Sequence, residues 1–406
     1  MIPVTPHGRL QARMHPEDSL APLPVEVGPT RLVILQPTSF CNIDCSYCYV
    51  PERQTKGLMP LEVVERLCER LIDEGLLGSR CSVVWHAGEP LTAGKRYMEQ
   101  AFELVRQKLD AHTQLQLTIQ TNATLVDAQW VEMFERYRVR VGVSLDGPAW
   151  LHDPHRKDRQ QRGSFAATVR GLERIMAAKV DHYILSVVTR ASLPAAREFY
   201  AFFKDLGVRD VGLIPEEADG IHLQSSLEGD QAVQGFANFL AELHAAYLEG
   251  GRQPEIREFR GVREALFYTP PITSVHNNKT TAYHLLTVDK SGGYTTYSPE
   301  LAGMHGPGGM DYMFGNVLHD PILASVHTPK FQAFYRHFMR GVAQCQQACR
   351  WFSLCGGGLP LNKLAETGRL DVAETLSCRL HLQAFAKTTL DYYNRMLPQA
   401  AAMPTD

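Results

Sequence analysis

"RLVILQPTSFCNIDCSYC", residues 31–48, joins a run of strand-forming residues to three closely spaced cysteines. Residues 31–38 are mostly apolar and β-favouring, as in a buried strand. Cys41, Cys45 and Cys48 follow at once, so we place them in the loop after the first strand. In barrel-like α/β sheets this end of the strands carries the active site. The stretch therefore predicts an α/β fold with a chemically active first loop.

The strand pattern recurs along the first half of the chain, with amphipathic helical segments between the strands. In the segment 59–76, Val63, Val64, Leu67 and Leu71 recur at helical spacing. Strands that alternate with helices predict a parallel sheet with right-handed crossovers. Six such units suit an open, partial barrel better than a closed eightfold one. The predicted strands are 31–38, 81–88, 115–122, 138–147, 182–190 and 208–215.

The pattern changes after about residue 225. A helical stretch at 230–250 leads into a Gly- and Pro-rich region at 270–316, and the tail over 379–396 has helical character. We therefore divide the chain into three parts. They are an N-terminal arm (1–28), a partial barrel (29–250) and a C-terminal region (251–406).

Composition narrows the classes of function. A net charge of -3 gives no electrostatic reason to expect a nucleic-acid partner. No apolar run is long enough to span a membrane, and the first residues lack the apolar core of a signal peptide. We therefore expect a cytoplasmic protein without a membrane partner, whose thiols stay reduced. Nine cysteines, an odd number, fit metal or cluster ligation better than a disulfide framework.

The three cysteines after the first strand suit a site with one open position. Soft thiolates select zinc or iron–sulfur clusters. A [4Fe–4S] cluster held by three thiolates leaves one iron free for a substrate or cofactor. A zinc ion would need a fourth ligand, for which Asp44 and distant histidines are candidates. Both metals stay open on spacing alone.

"CNIDCSYC" fits the CxxxCxxC pattern of the radical S-adenosylmethionine (radical SAM) enzymes, with the usual aromatic residue, Tyr47, before the last cysteine. This resemblance implies a [4Fe–4S] cluster whose open iron is chelated by S-adenosylmethionine. It also implies an external electron donor of the flavodoxin or ferredoxin type. A 5′-deoxyadenosyl radical would then abstract hydrogen from the substrate, so that the cofactors carry the chemistry and the protein positions and shields them.

Further motifs resemble the same family and follow in its order. "WHAGEPL" (85–91) resembles the GGEP segment, with Ala87 in place of the first glycine; "QTNATL" (120–125) and "SLDGPAWLHDPHR" (144–156) resemble the third- and fourth-strand motifs. Glu89 would accept a hydrogen bond from the methionine ammonium, and Arg156 would pair with the methionine carboxylate. The full set of implied S-adenosylmethionine contacts is Tyr47, His86, Gly88, Glu89, Asn122, Ser144, Arg156 and Leu213, of which Leu213 would contact the adenine.

A second cysteine group lies in the C-terminal region. "CQQACRWFSLCGGGLP" (345–360) and Cys378 resemble the SPASM domain of peptide- and protein-modifying members, although Leu359 and Ser298 stand near positions where cysteines are expected. Ligands for a first auxiliary cluster are therefore missing. The resemblance implies a partial (β/α)6 TIM barrel with a C-terminal SPASM-like domain, in which one auxiliary [4Fe–4S] cluster is bound by Cys345, Cys349, Cys355 and Cys378. A four-cysteine zinc site is the alternative.

The resemblance is greatest to maturases that cross-link residues of short ribosomal precursor peptides. Among them are cyclophane-forming enzymes, which join an aromatic ring carbon to a neighbouring Cβ. Glu300, in the "SPEL" turn, is a candidate catalytic residue as substrate contact or proton acceptor, with an ordinary turn glutamate as the alternative. The competing hypotheses are oxidation or epimerisation of a peptide residue, RNA modification, and a zinc-binding module without enzyme activity.

Overall fold

The computed structural model describes residues 21–305 and 311–401. The first 20 residues of the predicted N-terminal arm therefore lie outside the described residues, as do residues 306–310 and 402–406. Within the described part of the chain, no helix is both long and apolar enough to cross a membrane.

One ten-stranded sheet organises the fold, in the order β12-β11-β10-β1-β3-β4-β5-β7-β8-β9. The two remaining strands, β2 and β6, form a small antiparallel sheet of their own. The strand bounds are β1 Thr30–Leu35, β2 Ile43–Cys45, β3 Leu77–Trp85, β4 Gln114–Thr121, β5 Val139–Ser144, β6 Arg156–Asp158, β7 His182–Val188, β8 Asp210–Pro215, β9 Glu255–Ile256, β10 Leu285–Val288, β11 Gly293–Thr296 and β12 Gly315–Asn316.

The six strands predicted from the sequence are β1, β3, β4, β5, β7 and β8. They are neighbours in that order, and every pair among them is parallel. Their interior residues are buried, as expected for a parallel sheet that is covered by helices. The predicted α/β partial barrel is confirmed, because the sheet stays open between β9 and β12.

The helices cover the sheet with their apolar faces. In α1 the residues Val63, Val64, Leu67 and Leu71, which set the helical spacing in the sequence, are all buried. The bounds are α1 Leu61–Asp73, α2 Lys95–Leu109, α3 Ala128–Arg136, α4 Ala149–His152, α5 Phe165–Ala177, α6 Ala196–Asp205, α7 Asp230–Glu249, α8 Arg257–Phe267, α9 Pro329–Ala348, α10 Phe352–Cys355, α11 Pro360–Thr367 and α12 Phe385–Ala401.

Strands from beyond residue 250 extend both edges of the barrel sheet. β9 pairs with β8 at one edge, and β10 pairs in parallel with β1 at the other. β11 and β12 then add antiparallel strands beside β10. The predicted division at residue 250 therefore falls within one continuous sheet, although the helices α9 to α12 lie entirely in the C-terminal region.

Candidate functional site

A cavity of about 240 Å³ lies where β1, β3, β4, β5 and β8 end. Parallel strands bring their carboxyl ends to one edge, so the loops that follow them converge there. Eleven residues singled out from the sequence share this cavity. They are Cys41, Cys45, Tyr47, Cys48, His86, Gly88, Glu89, Asn122, Ser144, Arg156 and Glu300.

Leu213 does not line the cavity, which corrects its predicted place. Its side chain is fully buried in the hydrophobic core, and the next residue of β8, Ile214, faces the cavity instead. Successive side chains of a strand point to opposite faces of the sheet. At this strand end the cavity is therefore lined by the side chain of Ile214.

The cysteine loop is fixed by backbone pairing to the segment that follows β5. β2 lies antiparallel to β6, and this register places Cys45 opposite Arg156. Two further arginines hold the loop from outside: Arg53 donates to the carbonyl oxygens of Cys45 and Cys48, at 3.2 Å each, and Arg159 donates to that of Cys41 at 2.8 Å. The thiols are thus presented by a loop whose backbone is well anchored.

The three thiols of the loop line the same cavity. Cys41 and Cys45 are buried, and burial raises the pKa of both thiols, that of Cys45 to about 11. Asn122 Nδ2 lies 3.9 Å from the Cys41 sulfur, and Arg156 Nη1 lies 3.9 Å from the Cys45 sulfur. Buried thiolates need nearby positive charge, which a bound metal centre and these N–H donors would supply. The donor set fits a cluster bound by three thiolates.

Gly88 lies against the backbone of the cysteine loop. A Cβ at this position would be 2.5 Å from the Phe40 carbonyl oxygen and 2.6 Å from that of Thr38. The residue also has a φ of +55°, in the left-handed region that favours glycine. Only glycine therefore allows the segment after β3 to approach the cysteine loop this closely.

Glu89 is a buried carboxylate that is well supplied with hydrogen bonds. It accepts from Asn122 N at 2.7 Å, from the Thr121 hydroxyl at 2.8 Å and from Leu91 N at 3.0 Å. Burial raises its pKa to about 7, although these donors work in the opposite direction. No cationic side chain among the described residues forms an ion pair with it. The site is therefore suited to an ammonium group that enters the cavity.

Arg156 and Asp146 form a buried ion pair at the cavity wall. Arg156 Nε lies 2.8 Å from Asp146 Oδ2, and its Nη2 lies 3.1 Å from Oδ1. Burial alone would raise the pKa of Asp146, yet the guanidinium holds it below its usual value. The Tyr47 hydroxyl also donates to Asp146. Tyr47 of the cysteine motif and two residues of the fourth-strand motif thus form one hydrogen-bonded unit.

The remaining predicted contacts have ordinary polar partners. Burial lowers the pKa of His86 to about 4, so its ring is neutral, and its Nδ1 lies 3.3 Å from the Tyr49 hydroxyl. Ser144 accepts a hydrogen bond from Gln120 Nε2 at 2.9 Å. These groups line the cavity without a charge of their own.

Glu300, from the C-terminal region of the chain, also lines this cavity. The chain reverses after β11, at Tyr297, and Gln36 Nε2 donates to the Pro299 carbonyl oxygen at 3.2 Å, which holds Glu300 near the end of β1. The Ser298 hydroxyl donates to the Glu300 carboxylate. Burial raises the pKa of Glu300 to about 7.

Acidic residues after β8 also line the cavity, and sequence reasoning missed them. Burial, together with the charges of Glu300 and Glu217, raises the pKa of Asp219 to about 8. The Asp219 carboxylate has no hydrogen-bond or ion-pair partner among the described side chains, whereas Glu217 accepts from Asn362 at 2.7 Å. The run "EEADG" (216–220) at the end of a predicted strand was the signal that could have indicated them.

A second cavity of about 120 Å³ adjoins the first beside Glu300. Both cavities share Tyr49, Val50, Ala87 and Glu300 as lining residues. The second cavity continues towards Ser39, Asp289 and Lys290, with Lys290 Nζ 3.0 Å from the Ser39 hydroxyl. Glu300 therefore lies at the boundary between the first and the second cavity.

The four C-terminal cysteines line one separate cavity of about 330 Å³. Cys345 lies in the last turn of helix α9, Cys349 follows that helix directly, Cys355 ends helix α10, and Cys378 begins a π-helix over Cys378–Ala384. All four are free thiols that line the same cavity. The described residues contain no cluster of three or more His, Cys, Asp or Glu side chains that could hold a metal ion.

The fold and the first cavity together define a class: an enzyme with a thiolate-ligated cofactor at the strand ends of an open α/β barrel. The family model of the radical SAM superfamily matches residues 35–194. The uncharacterized protein sll1766 of Synechocystis sp. is 38% identical over 89% of this chain and 92% of its own length. The chain belongs to the radical SAM superfamily and is an enzyme that uses S-adenosylmethionine and a catalytic iron–sulfur cluster.

Other relatives share most of the chain. The cysteine-type anaerobic sulfatase-maturating enzyme of Clostridium perfringens strain 13 is 26% identical over 81% of this chain and 88% of its own. The solved structure of native anSMEcpe with bound AdoMet and the Cp18Cys peptide has a TM-score of 0.71 at 24% identity, and covers 92% of this chain and 99% of that one. Streptococcus suis SuiB bound to its precursor peptide SuiA has a TM-score of 0.61 at 14% identity, with 86% and 76% covered. The structural likenesses show a common fold.

We expect Gly88→Ala to displace the cysteine loop, because the added Cβ would meet two backbone oxygens. Overpacking of this kind costs about 1–3 kcal/mol of the free energy of unfolding. Iron analysis of anaerobically purified protein should show loss of the cluster at the cysteine loop. Gly94→Ala is the matched control: its φ is also positive, +88°, but nothing lies within 4 Å of its added Cβ. Wild-type iron content and stability in Gly88→Ala would contradict the steric argument.

Replacing Cys41, Cys45 and Cys48 together with alanine should abolish cleavage of S-adenosylmethionine. If both cysteine groups hold [4Fe–4S] clusters, the iron content should fall from about eight to about four per chain. Cys68→Ala, on the buried face of helix α1, should leave both values unchanged. Full cleavage in the triple variant, or a colourless zinc-containing wild type, would rule out this role for the three thiols.

Proposed function

We propose that this enzyme modifies a residue of a ribosomally made precursor peptide and joins an aromatic ring carbon to a neighbouring Cβ. The observation that carries the proposal is the place of Glu300, which lines both the cavity of the three cysteines and the cavity that adjoins it. A peptide can run through two adjoining compartments, whereas a small metabolite needs only one. The likeness to proteins solved with bound peptides supports the same class of substrate.

The proposed cofactor site is built from the thiols and charged groups that line the first cavity. Cys41, Cys45 and Cys48 would hold the catalytic cluster, and Glu89 would accept a hydrogen bond from the methionine ammonium. Arg156, already oriented by Asp146, would contact the methionine carboxylate. When bound, the cluster and S-adenosylmethionine supply the means to remove one hydrogen atom from the substrate. Tyr47, His86, Asn122, Ser144 and Ile214 would complete the walls of the cofactor site.

Glu300 would accept the proton that the substrate loses. Formation of a ring-to-Cβ bond removes two hydrogens from the peptide in total, one as an atom and one as a proton with a separate electron. The buried Glu300 carboxylate has a pKa near neutrality, which suits a general base. A cluster held by Cys345, Cys349, Cys355 and Cys378 would supply an acceptor for the electron.

Oxidation of a side chain in a peptide or protein is the second candidate function. The sequence similarity to sulfatase-maturating enzymes over 81% of the chain favours it. Such an oxidation needs the same hydrogen abstraction and the same proton acceptor, so the cavity alone serves both. The two reactions differ in which bond forms afterwards.

Coexpression with a short candidate precursor peptide that contains aromatic residues should separate the candidate reactions by mass spectrometry. A cross-link lowers the peptide mass by two hydrogens and suppresses fragmentation between the joined residues, because two bonds then connect them. Desaturation lowers the mass equally but leaves fragmentation intact, and epimerisation leaves the mass unchanged. The triple cysteine variant is the control. An unmodified peptide beside an enzyme that cleaves S-adenosylmethionine would count against the proposal.

Glu300→Gln should retain cleavage of S-adenosylmethionine and lose product, by about 10²- to 10⁴-fold, because a general base contributes that much. Burial raises the pKa of Glu300 to about 7, so its carboxyl group is protonated below that pH and cannot accept a proton. The wild-type rate of product formation should therefore fall as the pH decreases through about 7. Glu264→Gln, on the exposed surface of helix α8, is the matched control. An unchanged rate and pH profile in Glu300→Gln would exclude this role.

A further inference from the structure

Lys363 is a lysine that is buried beside the four-cysteine cavity. It lies in helix α11 and is only 1% exposed. Its Nζ is 3.5 Å from the sulfur of Cys345 and donates to the carbonyl oxygen of Val372. Lysines are almost never buried this deeply unless a partner compensates the charge. The partner must therefore be sought among its few neighbours.

No carboxylate compensates Lys363 in residues 21–305 and 311–401. Glu366 lies on the same helix, but its carboxylate accepts from Leu376 N and from the backbone and hydroxyl of Ser377. The Val372 carbonyl oxygen is a dipole and carries no net charge. The one neighbour that can become an anion at hydrogen-bonding distance is the thiol of Cys345, which is ionised when it ligates a metal.

The groups around the Cys345 sulfur have opposite effects on a negative charge at this atom. The carbonyl oxygens of Ala373 and Gly357 lie 3.1 and 3.6 Å away and oppose negative charge on the sulfur. The ammonium of Lys363 favours it, and a full charge at 3.5 Å outweighs peptide dipoles at similar distances. The ammonium of Lys363 is thus placed to stabilise negative charge on this sulfur when it ligates a metal centre.

We propose that Lys363 raises the electron affinity of the auxiliary cluster through its positive charge against the Cys345 sulfur. The inference rests on the proposed presence of that cluster. One-electron reduction makes a thiolate-ligated cluster more negative, and a fixed cation nearby stabilises the reduced form more than the oxidised form. Net charge and hydrogen bonds to the sulfurs are known determinants of cluster potential. Lys363 would thus act on the cluster through the Cys345 sulfur and not through contact with the substrate.

The test compares Lys363→Met with Lys363→Arg in the full-length, anaerobically reconstituted enzyme. Methionine keeps the length of the side chain and removes its charge, whereas arginine keeps the charge. Lys387→Met removes a lysine charge from the exposed surface of helix α12 and serves as the matched control. The midpoint potential of the auxiliary cluster is measured by potentiometric titration monitored by electron paramagnetic resonance, and the triple alanine variant of Cys41, Cys45 and Cys48 assigns its signal.

Lys363→Met should bind the electron roughly tenfold less tightly, which for a one-electron couple is a midpoint potential lower by about 59 mV. Lys363→Arg and Lys387→Met should stay near the wild-type value. An unchanged potential in Lys363→Met, or an equal decrease in Lys363→Arg, would overturn the inference while leaving the auxiliary cluster in place.

Loss of the cluster is also informative. If Lys363→Met loses the auxiliary cluster and Lys363→Arg keeps it, the charge is needed to hold the anionic centre, as the inference requires. If both variants lose it, the lysine acts through packing and the inference fails. A wild-type enzyme with a single cluster would instead refute the proposed auxiliary cluster, and the inference would fall with it.

Discussion

The buried ion pair between Arg156 and Asp146 connects the chain segments that form the first cavity. Arg156 lies opposite Cys45 in the small sheet of the cysteine loop, while Asp146 follows β5 and accepts hydrogen bonds from Val187 N and the Tyr47 hydroxyl. The pair therefore joins the loop after β1 to the ends of β5 and β7. Removing one partner of a buried pair leaves an uncompensated charge and costs about 3–5 kcal/mol. Cofactor geometry and barrel stability thus depend on the same interaction.

The sequence predicted the barrel and most of the cavity for different reasons. The six parallel strands were visible because each is a short apolar run between amphipathic helices, as the burial along β4 and α1 shows. The cavity residues at strand ends came from motifs. The side chain of Leu213 lies in the core instead, because a strand alternates its faces at every residue and a shift of one position moves a side chain from the cavity into the core. Its neighbour Ile214 lines the cavity.

Other features had no periodic signal in the sequence. Strands β9 and β12 contain two residues each, and β10 and β11 contain four, which is too short for an alternating pattern to be recognised in a Gly- and Pro-rich region. Asp219 lies in an irregular loop, and its place in the cavity depends on the close approach of Gly220 to Tyr49. A Cβ at Gly220 would be 2.3 Å from the Tyr49 carbonyl oxygen. Only tertiary contact fixes such a position.

Glu300 of the C-terminal region lines the first cavity. A buried contact also links this cavity to the four-cysteine region. Glu217 lines the cavity, while its Oε1 accepts from Asn362 of helix α11 at 2.7 Å and lies 3.2 Å from His381 Nε2. Burial opposes both charges, yet the pair keeps the pKa of Glu217 below its usual value and raises that of His381. His381 belongs to the π-helix that begins at Cys378. A change in the packing of the four-cysteine region would therefore alter a wall of the catalytic cavity, so the two sites are parts of one structural unit.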